Sequence, residues 1–224
     1  MPADLDQSLI SARQQLSELI RQIKETGHQD NLLPTLETVL NKLEGMSQHD
    51  HLTGALNRRT LLTTLEAELA RSYRTGHTFS FAVISVDGLE AILEKYGQAV
   101  AKDILKIVSR EALDMLRIID SFGRVAANEF AILMPTTWLD QSLKAIARLK
   151  NRLTELDWNH VAPDLVITFS TGLTTNAIKD TAEVMLQRAS TALQAARNKG
   201  TDTISQVEPP LPNYDPNAPE NQPR

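Results

Sequence analysis

Arg117 and Asp120 stand at the two ends of the tetrapeptide RIID, and after five intervening residues the chain reads AANEF, Ala126 to Phe130. An arginine and an aspartate at that spacing form, at the least, a solvated ion pair worth about 0–1 kcal/mol. At the most they present a planar donor fork and a carboxylate acceptor to a ligand with a matching edge. The pattern alone is common in sequences. AANEF belongs to a second group with chemistry, since Glu129 follows Asn128 there and Asp87 closes the apolar run FSFAVISVD. Carboxylates are hard oxygen ligands suited to magnesium, whereas Ser85 and Asn128 offer only a neutral hydroxyl and amide. Alternate residues of a strand face one side, so Ser85 and Asp87 share a face.

The elements that must hold these residues follow from hydrophobic period. FSFAVISVD, Phe79 to Asp87, is nearly continuous in apolar and β-branched residues, the pattern of a central strand buried on both faces. A helix is predicted from Leu89 to Leu116, interrupted near Gly97. RIIDSFGRV and EFAILMP are predicted strands flanking the hairpin RVAANEF. A helix from Trp138 to Leu156, a strand LVITFSTGLTT, a helix from Ala182 to Lys199 and a short strand near Thr203 complete the segment. Gly200, just past a last turn carrying Arg197 and Lys199, is a helix stop. This order predicts an α/β fold with a mixed, largely antiparallel central sheet flanked by helices.

Before that segment, Leu5, Leu9, Ala12, Leu16, Leu19 and Ile23 keep the alternating spacing of a heptad seam. The seam breaks at GHQDN and resumes with Leu32, Leu36, Val39, Leu43 and Met46. Residues 1–48 are therefore expected to form a helical hairpin or a stalk that pairs two copies, residues 49–206 the α/β domain, and residues 207–224 a Pro-rich tail too polar to bury a core.

Composition narrows the partners. Of 224 residues, 42% are hydrophobic, enough for a real core. Lys and Arg number 23 against 28 Asp and Glu, a net charge of -5, which gives no footprint for a nucleic-acid backbone. The absence of cysteine excludes disulfides and thiolate sites. The start MPADLDQSL has neither a basic nor an apolar leader region, and no apolar run reaches the length of a membrane span, so a cytoplasmic protein is expected.

DHLTGALNRRTLL, Asp50 to Leu62, resembles the D-x-L-T-G-L-x-N-R-R opening of the GGDEF domains, the bacterial diguanylate cyclases that join two GTP into cyclic di-GMP. The order of motifs agrees: a strand ending V-D, YGQAVAKDIL in place of Y-G-H-x-x-G-D-x-L, a hairpin ending N-E-F, then S-T-G and an A-x-x-A-L-x-x-A-R-x-x-G helix. The resemblance spans roughly residues 48–206 and places RVAANEF where the family carries R-Y-G-G-D-E-F.

By that resemblance, the family's metal carboxylates fall at Ser85 and Asn128, and its guanine-reading Asn and Asp fall at Leu93 and Lys102. Leucine offers no hydrogen bond, and lysine offers only donors where the guanine edge needs an acceptor. Ala126 and Ala127 replace twin glycines, and each would cost about 1–2 kcal/mol if its φ were positive. Of the family's phosphate-binding pair, Lys is matched by Arg197 and Arg by Thr201. Glu129 and Phe130 are kept. The expectation from these positions is a degenerate cyclase site, no enzyme, no bound cofactor and no metal.

RIID matches the family's R-x-x-D product-inhibition site in type and spacing. The resemblance implies that Arg117 and Asp120, helped by Arg148 on the following helix and by Arg71 from a neighbouring copy, grip an intercalated cyclic di-GMP dimer. A guanidinium fork bonds guanine O6 and N7 together and stacks on the next base, and a carboxylate accepts from the N1 and N2 hydrogens. The leading reading is a cyclic di-GMP receptor that signals to a protein partner. The alternative is a nucleotide-independent scaffold or dimerisation module, and a third reading is a residual enzyme or GTP-binding regulator using Asp87, Glu129 and Arg197.

Overall fold

The structure, a computed structural model, describes residues 47–209. The expected N-terminal helices, apart from their last residues, and the tail from residue 210 onward lie outside the described residues. The chain divides into two compact units, Met1–His51 and Leu52–Arg224.

Within the second unit the elements run β1 (Leu56–Asn57), α1 (Arg58–Thr75), β2 (Ser80–Val86), α2 (Leu89–Tyr96), α3 (Gln98–Met115), β3 (Ser121–Arg124), β4 (Glu129–Met134), α4 (Leu139–Glu155), β5 (Phe169–Thr175), α5 (Ala182–Lys199) and β6 (Ile204–Gln206). One sheet takes the order β1-β3-β4-β2-β5-β6. Its three central pairings are antiparallel, and the outer pairs β1 with β3 and β5 with β6 are parallel. This is the mixed α/β architecture predicted from the pattern.

Alternation along β2 sorts the core into two faces, and the strand is buried throughout. Ala82, Ile84 and Val86 pack toward α2, α3 and α4, while Phe81 and Val83 pack toward α1 and α5. Full burial of one such Phe or Val stabilises the fold by about 1.5–3 kcal/mol. Helix ends are set by local chemistry. The Asn57 side chain accepts the Thr60 N–H at 2.9 Å to start α1, and Thr181 does the same for Val184 at 3.3 Å at the start of α5. Gly97, at φ 88, separates α2 from α3 in a conformation that a side chain would strain. Gly172 in the S-T-G run has another reason: a Cβ there would stand 2.1 Å from the Ala189 carbonyl and the Leu193 nitrogen, so its absence lets α5 lie directly on β5.

Two predicted strands are shorter than expected. Leu165 to Thr168 precede β5 because β2 ends at Val86, paired with Phe169, and leaves them no ladder partner. RIID is a turn, and β3 begins only at Ser121. The Asp120 N–H donates to the Arg117 carbonyl at 2.9 Å, and the Arg117 N–H donates to the Asp120 carboxylate at 2.9 Å. Those bonds consume the groups that a strand would have given to a neighbour. Among the described residues, no helix is long and apolar enough to cross a membrane.

Candidate functional site

Two clusters of polar side chains lie on opposite faces of the sheet. The first is the β3–β4 hairpin with the ends of β2 and α5. Ser85 sits opposite Glu129 in the β2–β4 register and is fully buried. Asn128 donates to the Ser85 hydroxyl at 3.4 Å, and the Arg197 guanidinium donates to the same hydroxyl and to Glu129 at 3.1 Å. Asp87 accepts from the Thr168 hydroxyl at 2.9 Å and from the Asp202 N–H at 3.0 Å, so its carboxylate clasps the entry to β5 and the α5–β6 turn.

A divalent cation does not fit these side chains. The Arg197 charge already stands between Ser85 and Glu129, and among the described residues no three His, Asp or Glu groups gather into a cation site. Neither Ala126 nor Ala127 has a positive φ, so the strain considered for them does not arise. The hairpin closes through Val125 and Ala126 N–H groups donating to the Glu129 carbonyl, at 2.9 and 3.2 Å. Leu93 on α2 and Lys102 on α3 are both exposed.

The second place lies between α3, the RIID turn and α4. Arg117, Asp120 and Arg148 line one small cleft, with Met115 and Ile132 at its base and Gln141 and Thr137 beside them. The sequence alone could place Arg117 and Asp120 side by side; the third residue arrives only because α4 packs against α3 on this face. Asp120 Oδ1 is buried and has no hydrogen-bond partner among the described residues. Burial pushes the Asp120 carboxyl above its ordinary value of 3.8, and the Arg117 N–H and charge offset this only in part. A carboxylate oxygen held out of water without a donor is costly, and such groups are rare in folded proteins.

Arg71 is elsewhere. It lies on α1, on the other face of the sheet, paired with the buried Glu68, whose second oxygen contacts His77 Nε2 at 2.8 Å. It therefore does not line the cleft of its own chain. Gln141 and Lys144 escaped the sequence reading although they sit seven and four residues before Arg148, the spacing that puts all three on one side of a helix.

The profile of the family described as "Diguanylate cyclase, GGDEF domain" matches residues 47–203. The chain belongs to this family. It is 28% identical over 200 residues to the diguanylate cyclase DgcP of Pseudomonas aeruginosa, covering 82% of this chain and 30% of that protein. It is 28% identical over 180 residues to the diguanylate cyclase DosC of Escherichia coli K12, covering 78% and 39%. The chain thus spans well under half the length of these relatives. The solved diguanylate cyclase SiaD of Pseudomonas aeruginosa, in complex with its activator SiaC, matches at TM-score 0.68 and 28% identity over 91% of this chain and 78% of that one. The GGDEF domain of DgcB from Caulobacter crescentus, in complex with cyclic di-GMP, shares the fold at TM-score 0.67 and 20% identity, over 71% and 92%.

Family membership overturns one expectation. The chain was expected to be no enzyme, yet the family it belongs to is defined by diguanylate cyclases, and both relatives are named as such. Substitutions at Ser85, Leu93, Lys102 and Asn128 are differences within a cyclase family and do not place this GGDEF domain outside it.

Proposed function

We propose that this GGDEF domain binds cyclic di-GMP at the RIID turn and passes that event to a protein partner in the cytoplasm. The observation that carries the reading is the convergence of Arg117, Asp120 and Arg148 on one cleft. Each group has a task. The Arg117 fork bonds the O6 and N7 edge of one guanine, Asp120 accepts from the N1 and N2 hydrogens of another, and Arg148 caps the stacked bases from α4.

Support also comes from the relatives. A GGDEF domain of the same fold has been solved with cyclic di-GMP, and SiaD has been solved with a protein activator. Arg71 from a second copy would complete the grip, because its own chain holds it on the far face of the sheet. Residues 1–48, with their heptad seams, are the proposed means of bringing that copy close.

The test is a thermal-shift and titration series of the purified chain with cyclic di-GMP, cyclic di-AMP and GTP. Stabilisation by cyclic di-GMP that exceeds stabilisation by cyclic di-AMP, and that disappears in Arg117→Ala, is the expected result. No response to cyclic di-GMP would favour the nucleotide-independent scaffold.

A further inference from the structure

The cleft that holds Arg117, Asp120 and Arg148 has a volume of about 50 Å³. Pockets that enclose whole small-molecule ligands run to about 300–1,000 Å³. The cleft has room for the edge of one base, and most of a dinucleotide must lie beyond it. Beyond it is a groove of about 790 Å³ between α3 and α4, and Met115 and Arg148 line both spaces. The two spaces therefore adjoin at Met115 and Arg148, and the groove is the neighbouring space along α4.

The α4 wall of the groove carries three cations and, at its C-terminal end, the carboxylate of Glu155. Lys144, Arg148 and Arg152 line it at intervals of four residues, which stacks them one turn apart on a single helix face. Arg152 is neutralised by Glu111, at 2.7 Å, and Glu111 also holds Arg110 at 3.2 Å. Lys144 and Arg148 enter no ion pair or hydrogen bond among the described residues. Two adjacent like charges repel, and here they remain uncompensated in a chain whose net charge is -5. Such a pair, facing a groove of ligand size, is a seat for an anion.

We propose that Lys144 binds a phosphodiester group of cyclic di-GMP in this groove. Bases are then read at Arg117 and Asp120, and the negative charge of the nucleotide ring is held along α4. Lys144 has this role only if cyclic di-GMP binds at RIID, the reading proposed above. A lysine suits the place, since its ammonium binds a phosphate oxygen as a point charge.

The experiment titrates the full chain with cyclic di-GMP at low and high sodium chloride, using the wild type, Lys144→Gln, Lys144→Arg and Arg117→Ala. Lys144→Gln is expected to weaken binding about tenfold at low salt, the loss of one charged hydrogen bond. It should also reduce the salt dependence of the affinity while keeping the preference over cyclic di-AMP. Lys144→Arg, which keeps the charge, should bind like the wild type. If Lys144→Gln matches the wild type in affinity and salt dependence while Arg117→Ala abolishes binding, the role of Lys144 is overturned and the RIID reading stands. If the wild type itself fails to bind, both fall.

Discussion

The Asp120 carboxylate accepts the Arg117 backbone N–H at 2.9 Å, and the Arg117 carbonyl accepts the Asp120 N–H at the same distance. The outer residues of RIID therefore fasten the turn through main chain at one end and side chain at the other. The two side chains are unequal in consequence: that of Asp120 holds the turn, while the guanidinium of Arg117 takes no part in it.

Thermal unfolding without ligand should show that inequality. Arg117→Ala keeps both bonds of the turn and should change stability by less than about 0.5 kcal/mol. Asp120→Ala strips the Arg117 N–H of its acceptor and should cost about 0.5–1.5 kcal/mol. Equal losses in the two variants would contradict the division of roles.

Ligand affinity should also depend on acid. Burial raises the Asp120 carboxyl above 3.8, so the folded protein protonates it at a higher pH than the unfolded chain does. For stability, the ionised form carries a penalty that is absent below 3.8 and grows as pH rises through the raised folded value. For binding, the protonated form has lost an acceptor for the guanine hydrogens. Cyclic di-GMP affinity measured against pH should fall on the acid side with a midpoint above 3.8, and Asp120→Asn should remove that step.

The α3–α4 face is tied by Glu111, and its stability has the opposite sign. Arg152 holds the Glu111 carboxyl below its ordinary 4.5, so this contribution is fully present above 4.5 and is lost as pH falls through the lowered folded value. Breaking a fully buried pair costs about 3–5 kcal/mol. Arg152 is 49% exposed, and screening reduces the expected cost of Arg152→Ala to about 1–2 kcal/mol. Urea unfolding at neutral pH should show this difference, and it should shrink well below pH 4.5.

How much of this was legible in the sequence depended on whether the signal was local. The helix Ala182–Lys199 was legible because Gly200 and the basic last turn mark its end, and β2 because FSFAVISVD is a nearly continuous apolar run with β-branched residues, which the fold buries throughout. RIID was misread as strand because its isoleucines have the β pattern, while the bond that bends it belongs to the Asp120 side chain. Arg148 and Lys144 gain their meaning from α4 packing beside α3, which no spacing within α4 reveals. The expectation of a non-enzyme rested on four positions, Ser85, Leu93, Lys102 and Asn128, and it failed against the whole segment, whose family profile and named relatives are diguanylate cyclases.

Gly172 provides a test of the sheet itself. A methyl group there meets the backbone of α5 at 2.1 Å, so Gly172→Ala must push α5 from β5 or bend the strand. Overpacking of this kind typically costs about 1–3 kcal/mol. A chemical-unfolding midpoint equal to the wild type would show that α5 does not lie this close.

The most direct measurement of the central claim is a calorimetric titration of the full chain with cyclic di-GMP, repeated with Arg117→Ala and Arg117→Lys. Saturable binding in the micromolar range or tighter is expected for the wild type. A roughly tenfold to hundredfold loss is expected in both variants, because a point ammonium cannot replace the guanidinium fork. No heat of binding at ligand concentrations of about tens of micromolar, or affinity that survives Arg117→Ala and Asp120→Ala alike, would contradict the assignment of RIID as the cyclic di-GMP site.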